Sequence, residues 1–278
     1  MVNNHNTTVT DQSLDENEEY IRMQKARQAK YLVSFLLAIT GFIVLGAQLG
    51  PLASSYVKGK IIEKGLESIK DPTTESELSP EDADLPYYDP GLSYFQNLVQ
   101  HISPGYVAGA STDPNHPQPT QNITVDENYS KDMKMSIPSI GISDVTITSN
   151  VDSFNESVYN KALKRGLAHF KGTPLPGDGG NSFIYGHSAV ESFFSRHPNY
   201  EETIFSRLEN IEIADTFMIK KDGKTLEYTV QKKKIADPDN FDVISGIEGK
   251  QTVTLMTCWP LGIGSQRLIV IGELTNDG

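Results

Sequence analysis

Between Lys30 and Lys58 the chain carries no charged side chain. Within that window residues 31–49 read YLVSFLLAITGFIVLGAQL, and Gln48 is the one strongly polar side chain. A helix rises about 1.5 Å per residue, so about 20 apolar residues cross the hydrocarbon core of a bilayer. A helix buried in a soluble protein rarely stays uncharged this long. A cleaved signal peptide has an apolar region of about 7–15 residues behind a short basic start. Here a 30-residue tail with five acids precedes a longer run. The expectation is therefore an uncleaved signal anchor over residues 31–53, with residues 1–30 as a cytoplasmic tail. Arg22, Lys25, Arg27 and Lys30 flank one side, against Lys58, Lys60 and Lys64 on the other. That excess of one cation, with the short tail, favours the tail inside and the larger C-terminal part outside.

The formal charge is −12, from 24 basic and 36 acidic residues. A chain this acidic does not gain affinity for nucleic acid by releasing its counterions, so that class is set aside. The acidity is uneven. Residues 71–130 contain ten acids and no Lys or Arg, whereas residues 131–278 hold 16 basic and 19 acidic residues, a net of −3. Hydrophobic residues make up 37%, low enough to leave part of the length outside a packed core. The balanced stretch, residues 131–278, reads as the globular domain. Residues 54–130 read as an extracytoplasmic linker with short helices.

Residues 1–20 are polar and are expected to be unstructured. Residues 57–69 have helical spacing and would prolong the anchor helix. Residues 71–85 are acidic with Pro72 and Pro80, a linker. Leu92, Phe95, Leu98 and Val99 recur at helical spacing. Residues 109–129 carry Pro114, Pro117 and Pro119 among small polar residues, a second linker. From Met133 the pattern changes. Met133, Met135 and Ile137 alternate, as do Val145 and Ile147, the signature of half-buried strands. Ser153-x-x-Glu156 has the form of a capping box for a short helix to Leu163. Residues 182–185, 217–221, 226–230, 253–257 and 267–274 read as further strands, with Asp222-Gly223 as a hairpin turn. Many short strands with one or two helices indicate a mainly β fold, a barrel or a sandwich.

Cys258 is the only cysteine, so no intramolecular disulfide or cysteine-based zinc cluster can form. Outside the cytoplasm a lone thiol either pairs with another chain or does chemistry. It stands at the end of the strand Thr254-Leu255-Met256-Thr257-Cys258, before a Pro/Gly turn. His187 ends another strand in Tyr185-Gly186-His187-Ser188, and Arg267 opens the last strand. A hairpin over residues 253–274 would return Arg267 to the side of Cys258. A thiol nucleophile needs an acid/base partner, and a developing oxyanion needs a fixed donor. Each residue also has a plainer reading: a buried core thiol, a structural histidine, an ion-pair arginine.

This set resembles the sortases. Their hallmark is T-L-x-T-C followed about nine residues later by Arg on an apolar strand, with a G-H motif roughly seventy residues upstream. Thr254 to Cys258, Arg267-Leu268-Ile269-Val270 and Gly186-His187 match in order and spacing, and residues 236–244 resemble the segment before the cysteine strand. The resemblance covers about residues 133–275. It implies an eight-stranded barrel behind a membrane anchor, with residues 131–278 as the catalytic domain. It also implies cleavage of an LPxTG-like sorting signal between Thr and Gly and transfer of the acyl group to an amine of a cell-wall precursor or a pilin lysine. Cys258 would be the nucleophile, His187 the acid and base, and Arg267 the oxyanion and substrate ligand. No cofactor is expected. Asp237, Asp239 and Asp242 would shape a turn rather than bind calcium. Tyr88-Asp89-Pro90 resembles the lid motif of pilin-polymerising sortases, but Gly91 follows where an aromatic is usual, so a plain turn is the default. Two alternatives stay open: an anchored cysteine peptidase that releases surface proteins by hydrolysis, and a non-enzymatic barrel module with a buried thiol.

Overall fold

The computed structural model describes residues 8–68, 91–101, 123–197, 200–247 and 249–278. It divides into two units, Met1–Pro51 and Leu52–Gly278. Helix α1, Thr8–Ser68, runs for 61 residues. Its stretch Arg22–Gly50 has a mean hydropathy of 2.2 and is the one described helix long and apolar enough to cross a membrane. The polar tail, expected to be unstructured, is helical from Thr8. Its Glu, Gln, Lys, Arg and Met residues are good helix formers, and no Gly or Pro interrupts them before Gly41. The helix continues past the apolar run to Ser68, as the spacing of residues 57–69 predicts. The acidic segment 71–85 and the motif Tyr88-Asp89-Pro90 lie outside the described residues.

Among the described residues the second unit contains eight strands: β1 Met133–Ile137, β2 Ile142–Val151, β3 Leu167–Phe170, β4 Asn181–Tyr185, β5 Thr216–Lys221, β6 Lys224–Ala236, β7 Thr252–Trp259 and β8 Gln266–Asn276. They close into a barrel in the order β1-β2-β3-β4-β7-β8-β6-β5, which decides between barrel and sandwich. Closure removes every exposed strand edge. Most neighbours are antiparallel, including the β5–β6 hairpin through Asp222-Gly223. Two pairs are parallel, β2–β3 and β4–β7. Among the described residues three short helices accompany the barrel, α2 Tyr94–His101, α3 Glu156–Leu163 and α4 Glu191–Phe194, with a ten-residue 3-10 helix, Glu201–Asn210.

Period-2 alternation splits the apolar residues between two cores. One fills the barrel with residues from all eight strands, among them Met135, Ile147, Leu167, Ile184, Phe217, Tyr228, Leu255 and Val270. The other lies on the outer face of β3, β4, β7 and β8. There Phe170, Phe183, Tyr185, Met256 and Ile269 pack with Leu98 of α2 and with Ala162 and Leu163 of α3. Full burial of one such side chain contributes about 1.5–3 kcal/mol, so this second core holds α2 and α3 on the barrel. The capping box of the sequence reading is corrected. Asn155 is the N-cap of α3 and accepts from the Ser157 N–H at 3.1 Å. Ser153 is buried and instead pairs with the Tyr185 hydroxyl at 2.7 Å, because the chain turns it inward under the aromatic cluster.

Candidate active site

Three adjacent strands end at one corner of the outer core. In the parallel β4–β7 pair Tyr185 lies opposite Met256. The ladder runs on past the end of β4, since the Gly186 N–H donates to the Met256 carbonyl at 3.1 Å. Two residues further, His187 comes level with Cys258. On the other side of β7, Cys258 is paired directly with Arg267 of β8. Neighbouring strands stand about 4.8 Å apart, so Arg267 flanks Cys258 on one side, and the segment of Gly186 to Ser188 that carries His187 runs along the other. The three share the face of Tyr185, Met256 and Ile269, which places them outside the barrel rather than within it.

Short polar contacts fix the two strand ends. The Thr257 hydroxyl donates to the Gly186 carbonyl at 2.9 Å, and the Ser188 hydroxyl donates to the Cys258 carbonyl at 2.8 Å. Gly186 has no room for a side chain. A Cβ there would stand 2.5 Å from Leu167 Cδ2 and 2.8 Å from Phe205 Cδ2. The glycine before the histidine is thus required by close packing, and it holds His187 against the end of β7. The Phe205 N–H donates to the His187 carbonyl at 3.2 Å, tying the histidine to the 3-10 helix.

Cys258 is a free, exposed thiol. The buried core thiol weighed as the plain reading is therefore not what the fold contains. Burial lowers the pKa of His187 below the usual histidine value, and the charge of Glu202 partly opposes this. Arg267 is partly buried, and its Nη1 donates to the carbonyls of Gly264 at 2.9 Å and Gln266 at 2.8 Å. Those bonds orient the guanidinium. The ring of Tyr94, from α2, lies over it with its centroid 4.5 Å from Cζ. The Tyr94 hydroxyl is buried without a hydrogen-bond partner, and burial, the largest influence, raises its pKa strongly. Arg267 lowers it and Cys258 raises it.

The three residues predicted from sequence are thus neighbours at one surface corner. Sequence reasoning missed Tyr94 and Glu202, and it quoted Ser188 and Thr257 within the motifs without giving either a role. Tyr94 adjoins the apolar spacing of Leu92, Phe95 and Leu98, which marks a helix, but nothing local says where that helix docks. Asp237 accepts from Gln266 Nε2 at 3.0 Å, and the Asn240 N–H donates to the Asp237 carbonyl at 3.1 Å, a turn. The side chain of Asp242 lies outside the described part. Among the described residues no cluster of three or more His, Cys, Asp or Glu could hold a metal ion.

A family model, the sortase domain, matches residues 135–275. Sortase D of Bacillus subtilis is 25% identical over 114 residues, 40% of this chain and 51% of that protein. The chain therefore spans about half the length of that curated relative. Among solved structures, sortase C-1 from Actinomyces oris is 29% identical over 52% of this chain and 73% of its own, with a TM-score of 0.43. Sortase A from Corynebacterium diphtheriae is 27% identical over 54% of this chain and 63% of its own, with a TM-score of 0.44.

Proposed function

The chain belongs to the sortase family, and from that premise we propose that it is a membrane-anchored cysteine transpeptidase that joins surface proteins to an amine acceptor. The observation that carries this reading is the exposed thiol of Cys258, paired with Arg267 of β8 and flanked by the segment just past β4 that carries His187, whose neighbour Ser188 donates to the Cys258 carbonyl. An LPxTG-like sorting signal brings its Thr–Gly bond to the exposed Cys258 at the corner beyond the second core. The Cys258 thiol passes its proton to His187 as its sulfur attacks the Thr carbonyl carbon, and the carbonyl oxygen takes up negative charge. Arg267 supplies fixed donors to that oxygen. As the Thr–Gly bond breaks, His187 gives a proton to the departing glycine amine, leaving a thioacyl enzyme. An incoming amine then loses a proton to His187 and attacks the thioester, and the sulfur leaves and takes that proton back from His187. The acceptor is an amine of a cell-wall precursor or a pilin lysine. The apolar helix anchors the chain in the membrane, with the barrel outside the cytoplasm.

The test uses the full-length protein in detergent with a sorting-signal peptide. Wild type should give a thioacyl adduct on Cys258 by mass spectrometry, discharged by an added amine to a new amide. Cys258→Ala should abolish both without changing the melting temperature by more than a few degrees. His187→Ala should cost about 10²–10⁴ in rate. Retained transpeptidation in Cys258→Ala would refute the covalent route. An adduct discharged only by water would identify a peptidase instead.

A further inference from the structure

The part of α1 beyond Leu52 belongs to the same compact unit as the barrel, and it meets that barrel at one end of β7. Four glycines occupy the α1 stretch from residue 41 to residue 59. A Cβ added at Gly41, Gly46 or Gly50 would meet nothing within 4 Å. At Gly59 it would stand 2.9 Å from Pro260 Cγ, 3.2 Å from Pro260 Cβ and 3.4 Å from Trp259 Nε1. A glycine inside a helix costs about 1 kcal/mol relative to alanine. Here that cost coincides with backbone seated flush on the two residues that follow Cys258. Trp259 is 1% exposed and reaches into the barrel core. The contact therefore bears on a residue packed firmly on its far side.

A second contact flanks the first. Lys58 Nζ lies 2.6 Å from a carboxylate oxygen of Glu209, whose side chain is 3% exposed. Glu209 is the penultimate residue of the 3-10 helix that carries Phe205, the donor to the His187 carbonyl. The hydrogen bond to Glu209 raises the pKa of Lys58 against the opposing effect of burial, and the charges of Glu209 and Glu191 raise it further. A carboxylate this buried is costly unless a cation faces it. Lys233, on the barrel, donates to the Glu209 backbone carbonyl at 2.7 Å. One turn of α1 thus touches the segment after the cysteine and the helix behind the histidine.

We propose that Lys58 and Gly59 are positioning residues for the active site: by docking α1 on Trp259-Pro260 and on Glu209, they hold the ends of β7 and β4 in the spacing that sets Cys258 against His187. The inference rests on the proposed role of Cys258. It assigns to the helix beyond the apolar run a part in catalysis that anchoring alone does not require. A displacement of about 1 Å at reacting groups costs up to about 10²-fold in rate, so undocking should act on turnover rather than on peptide binding.

The experiment uses the full-length protein in detergent, comparing wild type with Gly59→Leu, Lys58→Ala and Lys58→Arg. Trp259 is the only tryptophan in the chain, so its fluorescence reports the docking contact directly. Gly59→Leu and Lys58→Ala should shift the Trp259 emission and lower the acylation kcat about 10- to 100-fold, with KM within about twofold. Lys58→Arg should keep both near wild type, because a cation still faces Glu209. An unchanged kcat in both variants overturns the proposal, and so does an emission shift without a rate effect. A matched fall in rate and melting temperature reduces the contact to general stability and also overturns it. Should Gly59→Leu fail to fold, the two Lys58 variants carry the comparison. If wild type acylates no peptide, the proposed function fails on its own. Cys258 alkylation rates then decide the coupling: changed in Lys58→Ala, it stands; unchanged, it falls.

Discussion

Arg267 is held by two backbone carbonyls and capped by the Tyr94 ring, so its guanidinium plane is set before any peptide arrives. A planar fork of donors can meet those carbonyls and still present N–H groups to an oxyanion. A lysine ammonium is a point charge on a flexible stem and cannot do both. A preplaced donor to an oxyanion contributes roughly 3–4 kcal/mol, or about 10²–10³ in rate. Arg267→Lys should lose most of that factor in the burst of released glycine-bearing peptide while melting within a few degrees of wild type. Near-wild-type acylation would reduce Arg267 to a bulk charge. His187 supplies the matching pH argument. Burial disfavours its cation, so its pKa lies below the usual 6.5 and the ring is neutral at pH 7, the form that accepts a proton from an amine. The acidic limb of aminolysis, measured on preformed thioacyl enzyme, should fall below pH 6.5. Glu202 stabilises the cation, so Glu202→Gln removes that support and should move the limb to still lower pH. A limb above pH 6.5, or one moved upward in the variant, would contradict the assignment.

At the scale of elements, α2 is the piece whose place bears most on access to the site. Leu98 is fully buried, Phe95 packs 4.3 Å from the Tyr185 ring centroid, and Tyr94 covers Arg267. The aromatic residues cluster because they bury large surfaces and stack at offset angles. A peptide carbonyl that reaches Arg267 from the face Tyr94 covers displaces the ring, at the cost of a cation–π contact of about 0.5–2 kcal/mol. A site open only part of the time binds more weakly by the closed fraction. Tyr94→Ala should therefore raise the kcat/KM of acylation several-fold, through a lower KM. Phe95 and Leu98 remain to hold the helix, so the melting temperature should fall by only a few degrees. A lowered kcat at unchanged KM would instead show that the ring orients Arg267 during the reaction.

For the whole molecule, the uncharged helix and the acidic, barrel-bearing remainder give a topological expectation. On cells stripped of their wall, added protease should digest the chain beyond about residue 57 and spare residues 1–30. The reverse pattern would invert the orientation drawn from the flanking charges.

Local pattern alone determined much of this protein. A long uncharged run marks a candidate span, two-residue alternation announces strands, and Asp222-Gly223 announces a hairpin, because each depends on neighbours within a few residues. The β7–β8 hairpin is of the same kind, so the pairing of Cys258 with Arg267 was legible from spacing. The tertiary structure decided the rest. Strand β3 is four residues long, too short for periodicity to register, and it exists because β2 and β4 flank it. The parallel register of β4 on β7 joins segments about seventy residues apart, and burial of Phe183, Tyr185 and Met256 in one outer core, with the bonds of Thr252 and Thr254 to Asn181 and of Thr257 to Gly186, selects it. Tyr94 reaches Arg267, and Gly59 reaches Pro260, by docking surfaces that distant segments complete. No local rule encodes such contacts, since the free energy that forms them comes from burying side chains far apart in the chain.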